Sequence, residues 1–217
     1  MSQDFETPWP GIDTAGERSL SFVNTLDWRL REPPAELLED YADLLRWAWT
    51  VDAVDRAGAR ALLAWSRSHP RLAERALAQA IEVREAMAAL FTATLRHEPI
   101  PAEALARLEG ASRDAEAARR LGAGGGVLRW EWRESSPEPD RPVWTAALDA
   151  VRVLTSDDRE RVRQCGDALC GWMFLDTSRN RSRRWCSMEG CGNRNKVRSF
   201  YKRAAEKQAR RGGRKAR

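Results

Sequence analysis

The sequence predicts an α+β protein: a mostly helical N-terminal domain with a small strand element, followed by a treble-clef-like module ordered as knuckle, β-hairpin, knuckle and helix. Three observations predict it. Apolar residues recur at helical spacing through most of residues 33–154, the run VLRWEWRE alternates instead, and all four cysteines fall within residues 165–191.

Taken in order, SLSFVNTLDW (Ser19 to Trp28) is a short apolar segment that suits the start of a helix or a strand. From Pro33 the pattern sharpens. Pro34 fits a first helical turn, and Leu37, Leu38, Tyr41, Leu44, Leu45 and Ala48 lie on one helical stripe. A second helix is expected over Val54 to Trp65, and a long one after Pro70 with Leu77, Ile81, Arg84, Ala88, Phe91 and Leu95 along one face. Pro99 and Pro101 end it and open another carrying Leu105 and Leu108.

The glycines of LGAGGG (121–126) lose too much backbone entropy for a helix, so this run is expected to be a loop. It lacks the Gly-Lys-Ser that a phosphate cradle needs. Beyond it, Leu128, Trp130 and Trp132 alternate with Arg129, Glu131 and Arg133, which predicts a strand with one buried face. A last core helix is expected from Pro142 to Leu154 on Trp144, Ala147, Leu148, Val151 and Leu154, after which Ser156 and two aspartates form a cap.

Charge divides the chain. From Arg159 onward 18 Lys and Arg face 5 Asp and Glu, whereas the preceding part is acidic, 19 against 27. A basic block on an acidic body suits a phosphate-bearing partner, although a solvated tail has the same composition. The division is expected at 1–156 for the helical domain, 157–208 for the cysteine module with its basic helix, and 209–217 for a disordered basic tail, where RRGGRKAR is interrupted by glycine.

No apolar run approaches the ~20 residues of a membrane span, and MSQDFETPWPG lacks the basic and apolar regions of a secretion signal. A cytoplasmic location is expected, where thiols stay reduced. The cysteines are spaced C-x4-C-x15-C-x4-C: Cys165, Cys170, Cys186 and Cys191. Both pairs are followed by glycine, Gly171 and Gly192, at a place where a metal knuckle often needs a backbone that glycine tolerates best. Four thiolates in two separated pairs suit a closed tetrahedral Zn²⁺ site. The alternatives are small buried hydrophobes or two disulfides. A nucleophilic cysteine has no histidine nearby, since His69 and His97 lie on distant helical segments.

Between the pairs, GWMFLDTSRNRSRRWC reads as a hairpin: a strand over Trp172–Leu175, a turn around Ser178–Ser182, and a return through Trp185. The helix after Cys191 has Val197, Phe200, Tyr201 and Ala204 to pack on that hairpin, with Arg194, Arg198 and Lys202 on the opposite stripe. CGWMFLDTSRNRSRRWCSMEGCGNRNKVRSFYKR resembles the CGNR zinc finger, whose name-giving residues stand here as Cys191, Gly192, Asn193 and Arg194. SFVNTLDWR and LLRWAW resemble the ABATE domain that precedes this finger in bacterial proteins described as candidate stress-induced transcription regulators. The resemblance implies that the four cysteines are zinc ligands.

The expected partner is nucleic acid, with double-stranded DNA favoured, met by Arg179, Arg181, Arg183, Arg184, Arg194, Lys196, Arg198, Lys202 and Arg203. For Arg184 and Arg194 the plainer role is to offset the negative charge of a four-thiolate site. The N-terminal domain would sense an unidentified small-molecule signal or form a homodimer. One alternative is RNA, with Tyr201 or Trp185 stacking on unpaired bases. Another is an enzyme or ligand-binding helical domain. There Asn24, Asp27, Arg29 and Arg84 are the polar residues to weigh, but no catalytic spacing joins them and buried hydrogen bonding explains them better.

Overall fold

The structure is a computed structural model that describes Trp9, residues 17–133 and residues 138–215, with side chains through Ala204. Helix α1 (Arg18–Val23) is short, and Ser19–Val23 are all buried, so it forms the centre of the body. Its polar groups are answered from neighbouring helices. Ser19 donates to the Asp149 carboxylate through its amide (2.9 Å) and hydroxyl (2.7 Å), and the Trp47 indole donates to the Ser21 hydroxyl at 3.1 Å. The segment that suited either a helix or a strand contains both: α1 is followed by β1 (Leu26–Asp27), antiparallel to β2 (Ala35–Glu36).

That pairing corrects the helix expected from Pro34. Helix α2 (Tyr41–Thr50) begins at Tyr41, where the Asp40 carboxylate accepts from the Asp43 amide at 2.9 Å. The preceding residues stay extended because tertiary partners hold them: the Leu37 amide donates to Thr25 O at 3.1 Å, and the Glu36 carboxylate binds Arg84. Helices α3 (Arg56–Ser68), α4 (Pro70–Arg96) and α5 (Ala102–Ala117) follow as the periodicity predicts, α3 capped by Asp55. With α6 (Arg141–Thr155) they enclose a core of Phe22, Leu44, Leu45, Trp47, Met87, Phe91, Ala147 and Val153. Phe22 and Trp47 meet at its centre with ring centroids 4.6 Å apart.

The glycine run is not a loop. Strand β3 (Arg119–Gly124) pairs in full register with β4 (Val127–Trp132), and only Gly125 (φ +60°) and Gly126 (φ +77°) turn between them. Two successive left-handed residues give the turn whose twist matches a hairpin, so the glycines favour the strands rather than breaking them. Nor is one face buried along its length. Leu128 and Trp130 are exposed, and only Trp132 reaches the body, 5.6 Å from the Trp144 ring. The Trp130 face is instead covered by the Arg119 guanidinium, 4.3 Å from its centroid.

Beyond α6, Ser156 caps a 3₁₀ turn (Asp157–Arg161) as expected. Strand β5 (Val162–Gln164) then pairs antiparallel with β6 (Met173–Leu175), so the hairpin encloses the first cysteine pair. The return limb through Trp185 is not a strand. Val162 and Met173 belong to the core of the helical body, which places β6 beside α1 rather than beside residues 183–186. Residues on both sides of position 156 therefore share one core. A π turn (Met188–Gly192) leads into α7 (Asn193–Lys215). That helix runs on to Lys215, into the segment expected to be disordered from residue 209. Ala, Glu, Lys, Gln and Arg between 204 and 211 are strong helix formers, and Gly212 and Gly213 cost about 1 kcal/mol each without forbidding the conformation.

Candidate metal centre and basic helix

The first cysteine pair is built on the β5–β6 hairpin. Cys165 leaves β5 with its amide bonded to Trp172 O at 2.8 Å, and the chain turns within five residues, the Cys170 amide reaching Asp167 O at 3.2 Å. Gly171 then adopts φ +73°, the left-handed conformation anticipated for it. A Cβ there would lie 2.9 Å from the Arg29 Cβ, so glycine also permits the close approach of the helical body. In the second pair, Ser187 accepts from the Gly190 amide at 3.2 Å and starts the π turn that delivers Cys191. Gly192 is not left-handed. A Cβ there would come within 3.0 Å of the Met188 sulfur and 3.3 Å of the Trp185 ring, so its small size serves packing.

These turns bring all four Sγ atoms within 4.8 Å of one another, and every cysteine is buried and unbridged. Cys170 and Cys186 are 3.7 Å apart, and Cys186 and Cys191 are 3.6 Å apart. A disulfide would need about 2.05 Å. A tetrahedron with metal–sulfur bonds of about 2.3 Å has edges of about 3.8 Å, which these separations match closely. The crowded thiols also perturb one another. Hydrogen bonds from Cys170 and Cys186 hold the Cys165 thiol far below its usual range, while contacts with Cys165 push Cys170 and Cys186 up. Such a cluster shares protons until a cation replaces them. Phe174, Trp172 and Trp185 shield it.

A ring of polar contacts fixes the start of α7 to this cluster. Arg194 donates to the Cys191 sulfur at 2.9 Å, and its guanidinium lies 4.5 Å from the Trp28 ring centroid. Asp167, fully buried, accepts from Asn195 (2.8 Å) and Arg198 (3.2 Å), and Asn195 also donates to Cys191 O at 3.0 Å. Asp167, Asn195 and Trp28 were not singled out from sequence. A carboxylate inside the first knuckle, CGDALCG, was the available signal for the first of them. Asp176 is also buried and closes the turn before Arg183, accepting from Ser178 and from the Arg183 amide at 3.0 Å.

The nine basic residues proposed as phosphate contacts thus fall into two groups. Arg183 bonds the carbonyls of Trp185 and Cys186 and covers the Phe174 ring, Arg194 and Arg198 are held by the knuckles, Arg184 lies over Trp185, and Arg181 approaches Glu160 at 4.0 Å. Arg179, Lys196, Lys202 and Arg203 are exposed, and no ion pair forms with them among the described residues. The apolar stripe expected to pack on the hairpin does not. Val197, Phe200 and Tyr201 are 54%, 63% and 67% exposed, because α7 projects away from the finger after its first turn.

The polar residues weighed for an enzyme have structural partners. Arg84 is buried on α4, paired with Glu36 at 2.6 Å and Glu85 at 2.9 Å, while Arg29 binds Glu85 at 2.5 Å and Val23 O at 3.0 Å. Asn24 bonds the backbone of Met173, and the Asp27 carboxylate accepts from the Trp28 amide.

Comparison with known families divides the chain at the same place as the charge. Residues 161–204 match the CGNR zinc finger, and residues 16–157 match the ABATE family, described as "Putative stress-induced transcription regulator". A search of curated proteins finds no match to the chain. With more than half its length matched by the ABATE family and the cysteine cluster inside the CGNR segment, the chain belongs to the ABATE family and carries a CGNR zinc finger at residues 161–204.

Proposed function

We propose that this chain is a zinc-dependent, nucleic-acid-binding transcription regulator of the cytoplasm, with double-stranded DNA as its favoured target. The observation that carries this reading is the coupling of the cysteine cluster to α7: Asp167, Asn195 and Arg194 anchor the first turn of a helix whose Lys196, Lys202 and Arg203 have no ion-pair partner among the described residues. Zinc held by Cys165, Cys170, Cys186 and Cys191 would be a structural ion, replacing the core that so small a segment cannot build. The projecting helix can lie in a major groove or along a phosphate backbone. The helical body supplies sensing or homodimerisation.

Exposed Phe200 and Tyr201 support a second reading, in which unpaired bases stack on the same helix. Binding of the zinc-loaded chain to one labelled duplex, its single strand and a structured RNA of equal length separates the two. Preference for the duplex supports the first reading. Tighter binding to the single strand, lost on Tyr201→Ala, supports the second.

A further inference from the structure

An opening lined by α4, α5 and α6 holds none of the four cysteines and is not used in the functional reading above. It is a half-open cleft of about 390 Å³. That is within the range of small-molecule sites. Its inner surface is apolar: Val83 from α4, Gly110 from α5, and Val143 and Trp144 from α6. Its rim carries three carboxylates, Glu103, Asp114 and Asp140, and one cation, Arg107.

The charges do not cancel locally. The Arg107 guanidinium is paired with Glu82, and Arg141, next to Asp140 in the chain, turns to the Trp132 ring instead. No ion pair forms with Glu103, Asp114 or Asp140 among the described residues. Burial, then the charges of Asp114 and Glu138, raises the Asp140 carboxyl above its ordinary range. The carboxylates do not converge as metal ligands, since the cysteine cluster alone gathers ligand atoms closely enough among the described residues. An anion would meet three carboxylates with no available cation.

We propose that this cleft binds a small organic cation: an amine whose aromatic or alkyl body lies on Val83, Val143 and Trp144 and whose ammonium group faces Asp114 and Asp140. Gly110 borders the open space, since a Cβ added there would meet no atom within 4 Å. The inference is independent of nucleic-acid binding and concerns the helical body alone.

Calorimetric titration of the full zinc-loaded chain with 4-phenylbutylamine tests it, using 4-phenylbutyrate as the probe of equal body and opposite charge. The expected result is saturable one-site binding of the amine, at least about tenfold tighter than of the acid. Gly110→Leu fills the cleft while adding a better helix former, so it should abolish amine binding with helical signal and zinc content unchanged. Asp114→Asn and Asp140→Asn should each weaken the amine about two- to fivefold, as expected for partly exposed charge pairs. Failure of the amine to saturate at millimolar concentration overturns the proposal, as does equal affinity for the acid or a folded Gly110→Leu variant that still binds. If Gly110→Leu does not fold, unchanged amine affinity in the double variant Asp114→Asn/Asp140→Asn overturns it equally.

Discussion

Asn24 and Met173, 149 residues apart, bond each other twice: the Asn24 amide donates to Met173 O and its Oδ1 accepts from the Met173 amide, both at 2.8 Å. One side chain of the helical body thereby continues the edge of β6. The residues that follow Asn24 extend the seam. The Arg29 amide donates to Cys170 O at 3.0 Å, and Trp28 carries the Arg194 guanidinium.

Asn24→Ala should therefore destabilise the zinc-loaded protein by about 2–6 kcal/mol, because two buried backbone groups lose their partners at about 1–3 kcal/mol each. Urea denaturation followed by circular dichroism measures it. A loss below about 1 kcal/mol would mean that water or a shifted β6 satisfies those groups.

The two knuckle glycines should respond differently. At Gly171 an alanine must adopt a left-handed backbone, at about 1–2 kcal/mol, and also press its Cβ on Arg29, so Gly171→Ala should lower both stability and metal affinity. Gly192→Ala meets chiefly the flexible Met188 side chain and should be milder. Competition with a chromogenic chelator ranks the two. Equal affinities would show that backbone conformation at Gly171 does not limit the site.

Truncation after residue 156 removes Val162 and Met173 from the core and leaves Asn24 without its partner. The shortened chain should stay helical but melt at a lower temperature than the full chain. Chelation of the full chain should likewise destabilise the helical body, through β5 and β6, and not only the finger. Differential scanning calorimetry shows this as a shifted main transition. A main transition unmoved by chelator would mean that the two segments fold independently.

Acid should weaken the joint between α4 and the loop after β1. Burial works to raise the Glu85 carboxyl, but the hydrogen bond and charge of Arg29, and then Arg84, outweigh it and hold it below its ordinary range. Because the folded value lies below the unfolded value of about 4.3, this carboxylate stabilises the fold above that pH and loses its contribution as pH falls through the depressed folded value. Glu85→Gln should thus reduce stability at pH 7 and flatten its decline below about pH 4.5. Parallel urea midpoints across pH 3–7 check both. An unchanged slope would assign the acid sensitivity to other carboxylates.

The cysteine spacing, the long helices and the Ser156 cap were legible because each rests on local chemistry: ligand count, 3.6-residue periodicity, a side chain reaching its own backbone. What was not legible depends on distant partners. Glu36 stays extended because Arg84 reaches it across the body, β5 has only three residues to reveal its pairing, and Asp167 gains its role from Asn195 and Arg198 some thirty residues later. The stripe of Val197, Phe200 and Tyr201 has the period of a packed face, and periodicity cannot say whether anything stands opposite it.

The central claim is that the zinc finger holds a cationic helix against nucleic acid. It is tested most directly by duplex affinity measured across a salt series for the zinc-loaded chain and for the variant Lys196→Ala/Lys202→Ala/Arg203→Ala. These three residues are suited to the test because Arg194 and Arg198 are engaged by the knuckles. The account predicts weaker binding with zinc content intact, and a slope of log affinity against log salt shallower by about 2–3 units, close to one for each phosphate contact removed. Unchanged affinity and slope would contradict it, leaving α7 as a surface for something other than phosphate.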